Sequence, residues 1–325
     1  MNSMNLNDEL SCVEKYYREY LRAEGDASQV GDVLMDISRS GGKRIRPRLL
    51  LLAARFGPLY EEKPDRLCRL AALVEMVHAA SLIHDDIVDD SPLRRGNPAI
   101  QAKYGKDRAV YAGDLVLSRI VRHLFEEGYY RVGALFGKAV EDMCIGELIQ
   151  MRSRFRADTS IEDYLRSIYG KTAALCRLAC TAGALESGCP EETVEALALA
   201  GENFGYLFQI RDDILDYVSN EAEQGKPTRS DFRSGIVTLP VLYAMESSPA
   251  TGKAVERLLQ RAAEGKFTDA DEAELCRLVR DGGGLDAAMQ EMDRYAKRAL
   301  SAIGTLSECE TKEVFRRMVT GLTAI

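Results

Sequence analysis

The chain has 325 residues, 46% of them hydrophobic and 29% charged, with a formal net charge of −8. Such a chain can bury a large core, and its acidic balance excludes nucleic acid as a general partner, because that role needs a basic surface to displace counterions. Its eight cysteines form no Cys-x-x-Cys pair and have no His at zinc spacing; they point to buried free thiols in a reducing cytosol. Residues 1–8 carry no basic segment followed by an apolar one, so a secretory signal is not expected. No apolar run reads as long as the ~18–20 residues of a membrane span. The expectation is a cytoplasmic protein with, at most, surface contact with a membrane.

Residues 8–24 and 29–38 read as short amphipathic helices. Next, Gly41-Gly42 opens a helix start that carries Lys43, Arg44, Arg46 and Arg48. A helix N-terminus favours anions, and Lys and Arg add charge and forked hydrogen bonds, so this stretch is a candidate diphosphate pocket. Residues 65–90 form one long helical pattern in which His78 lies two turns before Asp85 on the same face, roughly 10 Å away along the axis. That helix ends in Asp85-Asp86-Ile87-Val88-Asp89. A breaker-rich loop then carries Arg94 and Arg95 past the carboxylates.

Residues 106–127, 130–153, 160–187 and 190–217 are four more helical patterns. Polar groups at Gly146-Glu147 and Gln150 mark a cavity wall in the second. Lys171-Thr172, in apolar surroundings in the third, reads as a buried lysine that needs an anionic partner. The fourth ends in Asp212-Asp213-Ile214-Leu215-Asp216, with Gln209 one turn earlier. After a turn-rich loop containing Lys226, residues 238–246, 250–264, 269–281, 283–303 and 309–323 again read as helices. No strand-period alternation or linker interrupts them, so the expected architecture is a single all-α domain over 1–325.

The two acidic runs are the only internal repeat. On a helix, Asp85 and Asp89, or Asp212 and Asp216, stand one turn apart on one face. Like charges at that spacing destabilise a helix by roughly 0.2–0.5 kcal/mol per pair. A hard cation such as Mg²⁺ offsets this, since it takes oxygen ligands, accepts one or two carboxylates and completes its shell with water and substrate phosphates. A solvated acidic face is the plain alternative for one run; two runs in the same register, each at the end of apolar sequence, argue against it.

With these pieces in order, the chain resembles the trans-polyprenyl diphosphate synthases over nearly its whole length. The matching segments are Gly41 to Pro47, Glu75-x-x-His78, His84 to Asp90, Arg94-Arg95-Gly96, Gly113-Asp114, Gly146-Glu147-x-x-Gln150, Lys171-Thr172, Phe208 to Asp216, Gly225-Lys226-Pro227 and Thr238-Leu239-Pro240. The resemblance implies a large helical bundle around a deep central cavity, usually a homodimer. The implied reaction is the Mg²⁺-dependent head-to-tail condensation of an allylic diphosphate (geranyl, farnesyl or geranylgeranyl) with isopentenyl diphosphate. By the same resemblance Asp85, Asp89 and Asp212 ligate Mg²⁺, three ions with substrate bound, and Asp86, Asp213 and Asp216 act in support or through water. Arg94, Lys171, Thr172, Gln209 and Lys226 would hold the allylic diphosphate; Lys43, Arg46, His78 and Arg95 would hold that of isopentenyl diphosphate.

Ala80 stands five residues before Asp85, where short-chain synthases carry a Phe or Tyr floor. The tail could therefore grow past Ala80 and Ser81, then past Val77 and Met76, giving a medium or long product above C20; Ala80→Phe should shorten it. Ile236 occupies a position where the family often has Lys, which removes a cation from the allylic site. Some relatives need a small partner subunit, so a large subunit of a heteromeric enzyme, or a non-catalytic regulatory subunit, is an alternative. A terpene cyclase is disfavoured by the Lys43, Arg46, His78 and Arg95 set, which only a second diphosphate substrate needs.

Overall fold

The computed structural model describes residues 5–22, 28–39, 41–94, 96–218 and 230–324. They form helices almost throughout, as the all-α reading expects, and divide into two units: Met1–Val140 with Leu178–Ala198, and Glu141–Arg177 with Leu199–Ile325. The divisions fall inside the helices here called α7, α9 and α10.

In the first unit, α1 (Leu6–Tyr20) starts at Asn5, whose side chain accepts from the Asn7 and Asp8 amides at 3.0 and 3.1 Å, satisfying donors that the first turn leaves open. Helices α2 (Ser28–Arg39) and α3 (Ile45–Ala54) follow. The centre of the unit is α4 (Pro64–Val88), with Pro64 in its first turn, where a fixed φ and a missing N–H suit a helix start. Every residue from Leu70 to Val77 is buried, and α4 packs against α1, α3 and α6 (Lys106–Glu126).

Contrary to the sequence reading, α4 is long and apolar enough to cross a membrane by length and composition. It is instead a core helix, with 72% of that apolar stretch buried in the protein. Glu75, within that helix, is itself buried in an ion pair with Arg44 at 2.8 Å.

A short antiparallel hairpin follows α4, Leu93–Arg94 (β1) against Asn97–Pro98 (β2). Sequence periodicity missed it, because two-residue strands have no period to detect. Helix α5 (Ile100–Tyr104) and the first part of α7 (Tyr130–Ser153) complete this stretch.

The second unit takes the rest of α7, then α8 (Ile161–Ile168) and a π-turn, Tyr169–Ala173, that leads into α9 (Ala174–Glu186). The sequence read 160–187 as one continuous helix. The π-turn escapes such a reading because the segment is apolar on nearly every face, so a shift of phase leaves no mark on its pattern. It is where Gly146 and Gly170 meet: a Cβ on Gly146 would lie 2.8 Å from the Gly170 Cα, so only glycine lets the two backbones approach this closely. Helix α10 (Glu191–Val218) carries the second acidic run. Beyond the turn Ser230–Arg233, α11 (Leu239–Ser247) packs on α12 (Pro249–Ala263), α13 (Asp269–Asp281) and α14 (Gly284–Gly304); α15 (Glu310–Thr323) ends the fold.

All eight cysteines are free, as expected, but only Cys68, Cys176 and Cys180 are buried; Cys144 and Cys309 are exposed. One half-buried base is expected to make the first unit sensitive to acid. Burial pushes the His123 imidazole below its usual range, Arg122 and Arg119 add to this, and Glu127 and Glu126 oppose it. Its ring lies 4.0 Å from that of Tyr20, and its Nε2 is buried with no hydrogen-bond partner among the described residues. A histidine kept neutral when folded and protonated when unfolded stabilises above about pH 6.5 and loses that contribution as the pH falls toward the folded value. Denaturant melts at pH 7.5 and 5.5 are expected to show a drop that His123→Leu reduces. An identical drop in both proteins would assign it to other groups.

Candidate active site

In the first unit, α4 delivers the first acidic run. Adjacent residues on a helix point about 100° apart, and here that separates two kinds of carboxylate: Asp85 is half-buried and Asp89 exposed, whereas Asp86 is 3% exposed. The run is held in place at its end. The Asp89 N–H donates to the Asp85 carbonyl at 2.8 Å, the Ser91 N–H to that of Asp86 at 2.9 Å, and the Gln101 amide to that of Ser91 at 2.7 Å. The hairpin then returns Arg94 to the helix, where its Nε donates to both Asp86 oxygens at 3.0 and 3.2 Å.

The role of His84 is not apparent from its position before the acidic run alone. Its Nε2 lies 3.4 Å from Asp114 Oδ1, and a Cβ on Gly113 would fall 2.4 Å from that nitrogen. Gly113-Asp114 thus makes room for the imidazole next to the acidic run and gives it a partner. His78, half-buried, sits two turns down the same helix.

The basic stretch before α3 divides its cations. Arg44 turns inward to Glu14 and Glu75, both at 2.8 Å, with its guanidinium 4.7 Å from the Tyr17 ring. It ties α1, α3 and α4 together, and of the four cations expected to face a diphosphate it is the one committed to structure. Lys43 is exposed. Arg46 is half-buried, with a buried Nε that has no hydrogen-bond partner among the described residues, an arrangement suited to an anion. Arg95 and Lys226 lie outside the described residues.

Val77, eight residues below Asp85 and so about 12 Å down the axis, lines an apolar cavity of about 430 Å³ with Leu117, Ile120, Leu124, Phe136 and Val140. Of the four expected chain-length residues it is the one on that wall. Met76 and Ala80 are packed into the core at 0% and 1% exposure, and the Ser81 hydroxyl donates to the His78 carbonyl at 2.9 Å.

In the second unit, Asp212 is exposed, Asp216 half-buried and Asp213 4% exposed. Asp213 accepts the Tyr164 hydroxyl at 2.7 Å and the Gln209 amide at 2.9 Å; the Gln209 carbonyl oxygen accepts the Thr172 hydroxyl at 2.8 Å. Burial pushes the Asp213 carboxyl up to about 7, and the charge of Asp231 adds to this; the bonds from Tyr164 and Gln209 and the charge of Lys171 oppose it. These groups line a small cleft with Gln150, Ile236 and Thr238, as the cavity-wall reading of Gln150 expected. Lys171 corrects another expectation: it is exposed rather than buried and, within the π-turn, lines the cleft. Tyr164 was missed, since a lone tyrosine in an amphipathic helix carries no sequence signal.

Each run by itself, Asp85 with Asp89 in the first unit and Asp212 with Asp216 in the second, offers oxygen atoms only, on an accessible helix face. Among the described residues no three His, Cys, Asp or Glu side chains come together as a closed metal cage. This donor set fits Mg²⁺, which keeps several positions for water and phosphate oxygen, and does not fit a structural zinc site.

A model of the polyprenyl synthetase family matches residues 27–274. The chain is 37% identical over 312 residues to heptaprenyl diphosphate synthase component 2 of Geobacillus stearothermophilus, covering 96% of this chain and 94% of that one. It is 33% identical over 295 residues to nonaprenyl diphosphate synthase of Mycobacterium tuberculosis, covering 89% and 85%. The crystal structure of polyprenyl synthase from Caulobacter crescentus CB15, complexed with calcium and isoprenyl diphosphate, matches with a TM-score of 0.88 at 30% identity over 98% of this chain and 95% of that one. On its sequence and its fold alike, the chain belongs to the polyprenyl synthetase family.

Proposed function

We propose that this chain is a prenyltransferase that joins an allylic diphosphate head to tail with isopentenyl diphosphate, releasing diphosphate and building a polyprenyl diphosphate longer than C20. The observation that carries this reading is the duplicated acidic run, each copy with an accessible leading aspartate and a diphosphate-type donor fixed beside it. Relatives named for heptaprenyl and nonaprenyl products support the product class.

In this reading Asp85, Asp89 and Asp212 bind Mg²⁺, with Asp86, Asp213 and Asp216 in support; three bound ions would stabilise charge on the departing diphosphate. Arg94, Lys171, Thr172, Gln209 and Lys226 hold that group. Lys43, Arg46, His78 and Arg95 hold the second diphosphate, a role supported by the buried Arg46 Nε, which has no partner among the described residues. The apolar cavity beside Val77 takes the growing tail and excludes water from it. The whole chain acts as one catalytic domain, as a cytosolic homodimer.

A second reading has a specific observation behind it. Two relatives, from Geobacillus stearothermophilus and Bacillus subtilis, are named as component 2 of heptaprenyl diphosphate synthase, and by analogy this chain would need a small partner subunit. Incubating the purified chain alone with Mg²⁺, labelled isopentenyl diphosphate and farnesyl diphosphate separates the two. A ladder ending in one dominant polyprenol is the expected result. No product with any allylic primer would favour the partner-dependent form.

A further inference from the structure

The second aspartate of each acidic run is placed unlike its neighbours. Asp86 and Asp213 are 3% and 4% exposed, while the residues that precede them, Asp85 and Asp212, are half-buried and exposed. Each buried carboxylate is already engaged on both oxygens. Asp86 receives the Arg94 Nε at 3.0 and 3.2 Å, with Nη2 on Oδ1 as well. Asp213 receives Tyr164 at 2.7 Å on one oxygen and Gln209 at 2.9 Å on the other. In both units the residue held in this way is one to which the proposed function gives the allylic diphosphate.

We propose that Asp86 and Asp213 are positioning residues rather than metal ligands, each fixing one diphosphate-binding donor, Arg94 in the first unit and Gln209 in the second. The inference rests on the proposed function. A guanidinium has five N–H groups and a carboxamide two. The carboxylates leave donors over on both: Nη1 of Arg94, and the second N–H of the Gln209 amide, whose carbonyl is turned away by Thr172. The doubled aspartate in each run then has a division of labour set by helix geometry. Residues i and i+1 point about 100° apart, so one faces solvent and cation while the other faces the protein and aims a donor.

The test is calorimetric titration of the purified chain with an unreactive allylic S-thiolodiphosphate at several Mg²⁺ concentrations, in wild type, Asp85→Asn, Asp86→Asn and Tyr164→Phe. Asp86→Asn keeps the shape and removes the charge that holds Arg94. Tyr164→Phe removes one hydroxyl from Asp213 and keeps the ring, so it remains informative if a direct change at Asp213 does not fold. Both are expected to weaken analogue binding on the order of tenfold with no change in the Mg²⁺ concentration that half-saturates it; Asp85→Asn raises that concentration. Adding Asp86→Asn to Arg94→Gln should cost nothing more, because the two act through one contact. A rise in Mg²⁺ requirement for Asp86→Asn matching that of Asp85→Asn, or full additivity with Arg94→Gln, overturns the proposal and leaves the prenyltransferase reading intact. Failure of the wild-type chain to bind the analogue in Mg²⁺ overturns both.

Discussion

Asp85→Ala and Asp212→Ala are each expected to lower kcat by about a thousandfold or more while leaving thermal stability unchanged or slightly raised. The two halves of this expectation have separate causes. Breaking the allylic C–O bond puts charge on the departing diphosphate, and a missing cation ligand is felt most where that charge develops. The folded state barely notices the loss, because Asp85 is half-buried and Asp212 exposed, and substitutions at such positions usually stay within about 0.5 kcal/mol. Removing one of several like charges along a helix face relieves repulsion worth roughly 0.2–0.5 kcal/mol. Paired measurement of kcat with farnesyl diphosphate and of Tm checks both. Near-normal turnover in either variant would remove that residue from the reaction; a collapse of Tm would show that it serves the fold.

Val77→Phe should shorten the product. Val77 lies on the wall of the 430 Å³ apolar cavity, so an added ring has space to enter and takes volume from the tail without the 1–3 kcal/mol typical of overpacking, about the cost expected in a filled core. The same change at Ala80, which is 1% exposed and off that wall, should shorten the product and lower Tm together. Chromatography of the dephosphorylated products, with a thermal melt of each variant, tells the two apart. A Val77→Phe enzyme whose ladder ends at the wild-type length would show that the tail does not use this cavity.

Much of this arrangement could be read from the residues alone, for identifiable reasons. The helices announce themselves because each buries an apolar stripe, and the acidic runs stand out because carboxylates at the end of apolar helices need a purpose. The direction of a side chain is harder to read. Nothing in Gly42-Lys43-Arg44-Ile45-Arg46 says that Arg44 turns to Glu14 and Glu75 while the Arg46 Nε finds no partner among the described residues. That choice depends on carboxylates 30 and 31 residues away. The part played by Tyr164 depends likewise on a neighbour 49 residues distant, and Lys171 lies exposed within a helix defect. Spacing shows which groups are available, and tertiary contacts decide which way they face.

The π-turn at Tyr169–Ala173 has a consequence for how such a protein tolerates change in length. A π-turn takes one more residue than an α-turn. Deleting a single residue there would let the backbone relax into an unbroken helix, but everything beyond the deletion would be turned by about 100° relative to what precedes it. Lys171 and Thr172 could not then keep their bearings toward Gln209 and Asp213 while the Gly146–Gly170 contact held. The segment is thus a gear tooth that fixes the phase between two helices: its residues can be exchanged, but its number of residues is locked.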